Sequence, residues 1–170
     1  RLRHFVSRDA FDIEGLGTKH IETFWAEGSI ETPGDIFRLA AKEAAGEIAL
    51  GSREGWGEKS VDNLFAAIED RRVIPFDRLI YALGIRQVGQ ATAKLLARQY
   101  GSLANWRTTM IAAQNRDGES YADLIDIDGI GPSVADDILN FFAEDHNVGI
   151  LEDLAAQLTI EAVAAPTSFS

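Results

Sequence analysis

Ile13-Glu14-Gly15-Leu16-Gly17 sets an apolar residue between two glycines and leads into an amphipathic stretch. The pattern returns at Arg53-Glu54-Gly55-Trp56-Gly57 and Ile127-Asp128-Gly129-Ile130-Gly131. A fourth copy, Ile85-Arg86-Gln87-Val88-Gly89, carries Gln87 where the others have their first glycine. Four positions past each closing glycine stands a core-type residue (Ile21, Val61, Ala93, Ala135), and seven positions past stands another (Phe24, Leu64, Leu96, Ile138). Spacings of four and seven share one helix face. Each unit therefore predicts a tight turn, an inward-pointing residue between the glycines, and a helix buried along one side.

Outward from these turns the chain reads as a string of short helices. They are expected at 2–9, 18–27, 34–41, 42–50, 58–70, 76–83, 89–100, 103–113, 120–126, 132–144 and 147–157. Thr32-Pro33 has the character of an N-cap followed by proline in the first turn, and Gly101-Ser102 that of a stop and a cap. Residues 71–75 read as a connector, and no run of alternating β-branched residues marks a strand. The closing glycines (Gly17, Gly57, Gly89, Gly131) fall 40, 32 and 42 residues apart, a period that suggests a repeated unit of two helices and a hairpin. One unit cannot bury its own apolar face, so units should pair or stack. The long apolar residues Phe24, Trp25, Ile36, Phe37, Leu64, Phe65, Ile68, Leu79, Leu83, Leu95, Leu96, Leu139 and Phe142 are assigned to the core. The expected architecture is all-α, with four hairpins paired into a compact domain over residues 1–158. It divides into two sub-units near 1–73 and 74–158, and 159–170 reads as a linker or frayed terminus.

Composition narrows the class. The chain has 170 residues, 46% of them hydrophobic and 25% charged, as expected of an ordinary globular domain. No apolar run reaches the roughly 20 residues that span a bilayer, so no membrane partner is expected. With no cysteine there is no disulfide and no thiolate metal site, which fits a reducing cytoplasm. His4, His20 and His146 are scattered and show no metal-ligand spacing. The net charge of −11 is unevenly spread. Residues 1–100 hold 14 Lys/Arg against 15 Asp/Glu, a balance of −1, and residues 101–170 hold 2 against 12, a balance of −10. A polyanion should prefer the nearly neutral part, where three of the four turns lie.

The turns supply a reason for such a partner. Glycine accepts positive φ and lets another backbone approach closely. Successive N–H groups at a turn and at the helix start behind it form an anion-binding concavity, reinforced by the helix dipole. The candidate phosphate-contacting residues are Gly15, Gly17, Thr18 and Lys19 at the first turn and Arg53, Gly55, Gly57 and Lys59 at the second. Arg86, Val88 and Gly89 are the candidates at the third, and Gly129, Gly131 and Ser133 at the fourth. Lys19 and Lys59 each stand two positions past a closing glycine, placed to support the amides. Arg53 and Arg86 flank their turns and are read as backbone contacts, with a structural ion pair as the competing role. Two turns depart from the pattern. Gln87 should keep the third farther from a phosphate. Asp126, Asp128, Asp136 and Asp137 surround the fourth. A carboxylate and a phosphate 4 Å apart repel by about 1 kcal/mol in water and about 4 kcal/mol at an effective dielectric of 20. The fourth turn should hold a phosphate least, unless a cation intervenes.

The pattern resembles the helix-hairpin-helix motif, a DNA-binding element without sequence preference. Four motifs in this order resemble more specifically the helix-hairpin-helix domain of bacterial NAD-dependent DNA ligases. The residues behind that likeness are His4-Phe5-Val6-Ser7-Arg8, Asp12 to Gly17, Gly57-Glu58-Lys59-Ser60, Tyr81-Ala82-Leu83-Gly84-Ile85-Arg86 with Val88-Gly89, Tyr100-Gly101-Ser102-Leu103, Asp128-Gly129-Ile130-Gly131 and Phe141-Phe142. In that family the domain lies between a zinc module and a BRCT domain. The resemblance implies a clamp that holds nicked duplex DNA while other domains of the same chain, using NAD, magnesium and zinc, adenylate and seal the 5′-phosphate in replication and repair. It also implies what this stretch lacks. The family's nucleophile is the lysine of a Lys-x-Asp-Gly motif, and none of Lys19, Lys42, Lys59 or Lys94 begins one. The segment alone is expected to hold no catalytic residue, no metal and no cofactor.

Sharper chemistries fail on spacing. Asp126, Asp128, Gly131 and Asp137 mimic part of a calcium loop, but Ile130 and Pro132 occupy ligand positions. Gly57-Glu58-Lys59-Ser60 interrupts a P-loop with Glu58 and follows no strand. Two rival readings remain. One is a protein-interaction module whose acidic 117–153 region serves a basic partner. The other is a DNA clamp from a repair nuclease or a branch-migration protein.

Overall fold

The computed structural model describes residues 2–163 and is all-α apart from two three-residue strands. Helices α1 (Leu2–Phe5), α2 (Thr18–Ala26), α3 (Leu39–Ala44) and α4 (Glu58–Asp70) form the first half. Helices α5 (Phe76–Ala82), α6 (Gln90–Tyr100), α7 (Leu103–Ala112), α8 (Glu119–Asp126), α9 (Pro132–Ala143) and α10 (Asp145–Gln157) form the second. Two 3-10 turns, Pro33–Arg38 and Leu50–Ser52, flank α3.

Helix α4 has the expected limits, and the four helices that follow the glycine turns agree with expectation to within one residue at either end. The differences arise where local hydrogen bonds outcompete the helix ladder. The helix expected at 2–9 stops at Phe5, where the Ser7 hydroxyl donates to the His4 carbonyl at 2.6 Å and Phe11 N–H donates to the Phe5 carbonyl at 3.1 Å. The stretch expected as helix 34–41 opens as a 3-10 turn behind Pro33, with the Glu31 and Thr32 amides donating to Asp35 Oδ2. Of the helix expected at 42–50, only Lys42–Ala44 is helical, as the end of α3. Gly46 takes φ +78°, and Gly46 and Glu47 N–H donate back to Glu43 and Lys42 carbonyls. This is a left-handed helix stop, whose back-bonds satisfy carbonyls at the end of α3.

The connector at 71–75 and the start of the expected linker also need correction. Val73–Pro75 is a strand, β1, and it pairs in parallel with β2, Thr159–Glu161. Three-residue strands carry no readable alternation, and their pairing depends on partners 86 residues apart (Val73 with Thr159). The rest of the expected linker, 164–170, lies outside the described residues. The strand pair joins the two halves, and Arg72 strengthens the join by donating to the Phe37 carbonyl at 2.7 Å and the Gln157 carbonyl at 3.2 Å. Arg38 reaches across to Asp153 as well.

A single apolar core runs through both halves. Phe5 stacks on Phe11 at 4.2 Å in the first half. In the second, Trp106 is fully buried, edge-on to Phe76 and Phe142. Among the described residues the buried Trp106 Nε1 and Tyr100 hydroxyl find no hydrogen-bond partner. Burial, with Asp123 nearby, pushes the Tyr100 phenol up to about 12. Trp25 was expected in the core and is instead 59% exposed, because α2 presents its Ile21–Phe24 edge inward and Trp25 follows on the outer side. Among the described residues no helix is long and apolar enough to cross a membrane.

Candidate nucleic-acid interface

All four glycine turns adopt one geometry. The residue in the first-glycine position has positive φ: +88° at Gly15, +84° at Gly55, +67° at Gln87 and +95° at Gly129. The next residue then donates its N–H back three positions, closing a turn: Leu16 to Ile13, Trp56 to Arg53, Val88 to Ile85 and Ile130 to Ile127. Positive φ at the third residue is the mark of a type II turn. Leu16, Val88 and Ile130 then bury their side chains, each contributing about 1.5–3 kcal/mol of apolar burial. Trp56 is only half-buried and lies against His20, 4.6 Å between ring centroids, and Phe24. Hairpins one and two are thus held face to face by aromatic packing, with Gly15 close against Leu64.

The closing glycines are the N-caps of α2, α4, α6 and α9, all extended and none providing a side-chain cap. The first amide of each helix to find an acceptor in its own ladder is that of Ile21, Val61, Ala93 or Ala135. The amides before them, Gly17-Thr18-Lys19, Gly57-Glu58-Lys59, Gly89-Gln90-Ala91 and Gly131 with Ser133, have no acceptor among the described residues. Pro132 removes one donor from the fourth set. Elsewhere the protein does use side-chain caps: Ser102 Oγ accepts from Asn105 N–H at the start of α7. Nor is packing the reason for these glycines. A Cβ built on Gly17, Gly57, Gly89 or Gly131 meets nothing within 4 Å, whereas one on Gly118, the uncapped start of α8, comes within 3.2 Å of the Asn115 carbonyl. Four helix starts therefore present bare donors to open space, with the positive end of the helix dipole behind them.

The remaining candidates separate by exposure. Thr18, Lys19, Lys59 and Arg86 are exposed, and none of the three cations forms an ion pair among the described residues. Two candidates have partners within the protein itself. Arg53 belongs to the fold: it donates to the Ile48 carbonyl at 2.8 and 3.2 Å, pairs with Glu27 at 2.9 Å and covers the Phe24 ring. The competing structural role is the one it fills. Val88 is buried and its amide is already spent on Ile85, so it shapes the turn and offers no donor. At hairpin four, Gly129 backs onto Leu95 and Ser133 accepts a bond from Gln87. Arg116 pairs with Asp136 beside it, and among the described residues no group of acidic and histidine side chains gathers in a metal-holding cluster. Sequence reading passed over Lys94 and Arg98, exposed one turn apart on α6 behind the third hairpin. Their signal was the four-residue spacing from Gln90.

Fold and turns together define a tandem helix-hairpin-helix domain, and the helix-hairpin-helix motif family matches residues 78–151. The chain is 62% identical over 156 residues to a DNA ligase of Rhodospirillum rubrum, which covers 91% of this chain and 22% of that protein. It is 54% identical over 158 residues to a DNA ligase of Gluconobacter oxydans, covering 93% of this chain and 22% of that one. Similarity to a DNA ligase of Pelobacter propionicus, 48% over 179 residues, takes in 100% of the chain and 25% of the relative. The chain is thus similar to one region of these bacterial DNA ligases, and it spans under a third of the length of the curated relatives it matches.

Proposed function

We propose that this domain grips duplex DNA by its phosphate backbone, without reading sequence, as the clamping part of an NAD-dependent DNA ligase that seals nicks in replication and repair. The observation that carries the reading is the set of four glycine N-caps whose neighbouring amides are bare and whose side-chain space is open. An amide N–H is a donor that every phosphate accepts equally, so contacts of this kind position a protein and carry no base information. Lys19, Lys59 and Arg86 add charge at hairpins one to three. Hairpin four lacks a cation at the equivalent place, has lost an amide to Pro132 and stands among carboxylates, so it contributes least. The adenylation and sealing steps, with their NAD, magnesium and zinc, belong in this reading to other domains of the parent chain, and the segment itself is inert.

The test is duplex binding by this chain at two salt concentrations, with unrelated sequences and with nicked and continuous DNA. Releasing counterions at three cationic contacts gives a slope of roughly −3 in log K against log salt. Sequence-selective or salt-independent binding would contradict the reading.

A further inference from the structure

Gln87 holds a backbone conformation that the other three hairpins give to glycine, at φ +67°. A residue with a Cβ stays in the left-handed region only when its surroundings compel it. Here the compulsion is visible. The Gln87 carboxamide Nε2 donates to Asp137 Oδ2 at 2.5 Å and to Ser133 Oγ at 3.1 Å, with the Ser133 carbonyl at 3.4 Å. A carboxylate only accepts, so the amide group, and not its oxygen, must face Asp137. Ser133 and Asp137 stand four residues apart in the first turns of α9, and so share the face turned toward hairpin three. The bond therefore runs from the tip of one phosphate-facing turn to the helix start of the next.

The first two hairpins are coupled differently. Trp56 packs on His20 and Phe24, and Gly15 on Leu64. Hairpins three and four share the matching apolar contact, Gly129 on Leu95, and between their tips a polar tie is added. Gln87 and Ser133 are exposed, and so the tie adds little to overall stability. What it does fix is geometry: the distance between the Gly89–Gln90 amides and the Gly131–Ser133 amides.

We propose that Gln87 is a positioning residue, a latch that locks hairpins three and four in register so that they meet a phosphate backbone as one preorganised unit. The proposal rests on the reading that hairpin amides hold DNA. Preorganisation raises affinity by removing the cost of ordering two independent loops on binding.

Gln87→Gly separates the latch from the fold, because glycine suits the positive φ and leaves the turn intact. Duplex affinity and thermal melting are measured for the wild-type chain, Gln87→Gly, the Ser133→Ala/Asp137→Ala pair and the triple variant. The expected result is about tenfold weaker binding by Gln87→Gly with an unchanged or higher melting temperature, and less than a twofold further change when Gln87→Gly is added to the Ser133/Asp137 pair. Wild-type or tighter binding by Gln87→Gly would overturn the latch, since a bare glycine would then simply admit the phosphate. An undiminished loss in the Ser133/Asp137 background would also overturn it, because Gln87 would then be touching DNA itself. Gly89→Ser serves as the reference: if it too leaves affinity unchanged, the amide grip fails as a whole, and if it weakens binding while Gln87→Gly does not, the latch alone fails.

Discussion

Replacing the closing glycines by serine sets stability and binding in opposition. At Gly17 and Gly57 the backbone is extended (φ −76° and −88°), and a Cβ meets nothing within 4 Å, so serine fits without strain. Serine is a better N-cap than glycine by a few tenths of a kcal/mol, because its hydroxyl accepts from the amide two or three positions on. That amide is one of the bare donors of Lys19–His20 or Lys59–Ser60. A hydrogen bond from an amide to a charged phosphate contributes about 1.5–3 kcal/mol. Its loss therefore weakens binding about ten- to a hundredfold per hairpin at 1.4 kcal/mol per decade. The assay pairs fluorescence anisotropy on a labelled duplex with thermal melting followed by circular dichroism. Gly149→Ala is the control: this glycine lies inside α10 with open space around it, and its replacement should stabilise the helix and leave DNA affinity alone. Melting temperatures that rise for Gly17→Ser and Gly57→Ser while both dissociation constants stay within about twofold of wild type would refute the amide grip.

Other outcomes follow from the same geometry. Gly131→Ser should weaken binding less than Gly17→Ser, since Pro132 has already removed one donor, and a side-by-side anisotropy titration checks this. Arg53→Ala should cost about 1–3 kcal/mol in a denaturant melt, because two carbonyl bonds and a half-buried ion pair are lost together. Gly34→Ala drives a Cβ into the Asp153 carboxylate, which must shift from its place beside Arg38, at a cost of about 1–3 kcal/mol visible in the melting temperature. Burial alone would raise the Asp35 carboxyl, but the Glu31 and Thr32 amides, Arg38 and Lys42 hold it below the ordinary aspartate value of 3.8. Its stabilisation is therefore complete above that value and disappears as pH falls through its lower folded value. Asp35→Asn should melt earlier at neutral pH and lose less on acidification than the wild type.

How much of this was legible beforehand depended on the range of the interactions involved. The four turns, their helices and the inward residues Leu16, Val88 and Ile130 were readable because a type II turn and an amphipathic helix are settled within about ten residues. Glycine spacing and apolar periodicity encode them directly. The bare amides were implied by the same local pattern, since a glycine N-cap has no side chain to engage them.

Tertiary structure alone decided the rest. Trp25 has the same apolarity as Phe24, and only the docking direction of α2 puts one outside and the other inside. Arg53 is as cationic as Arg86, and only the approach of the Ile48 carbonyl and Glu27 commits it to the fold. The pairing of β1 with β2 and the bond from Gln87 to Ser133 and Asp137 join residues 46 or more positions apart. Local propensity carries no information about contacts of that kind. They exist because the core brings the two halves together, and the surface chemistry of the hairpins is set by that closure.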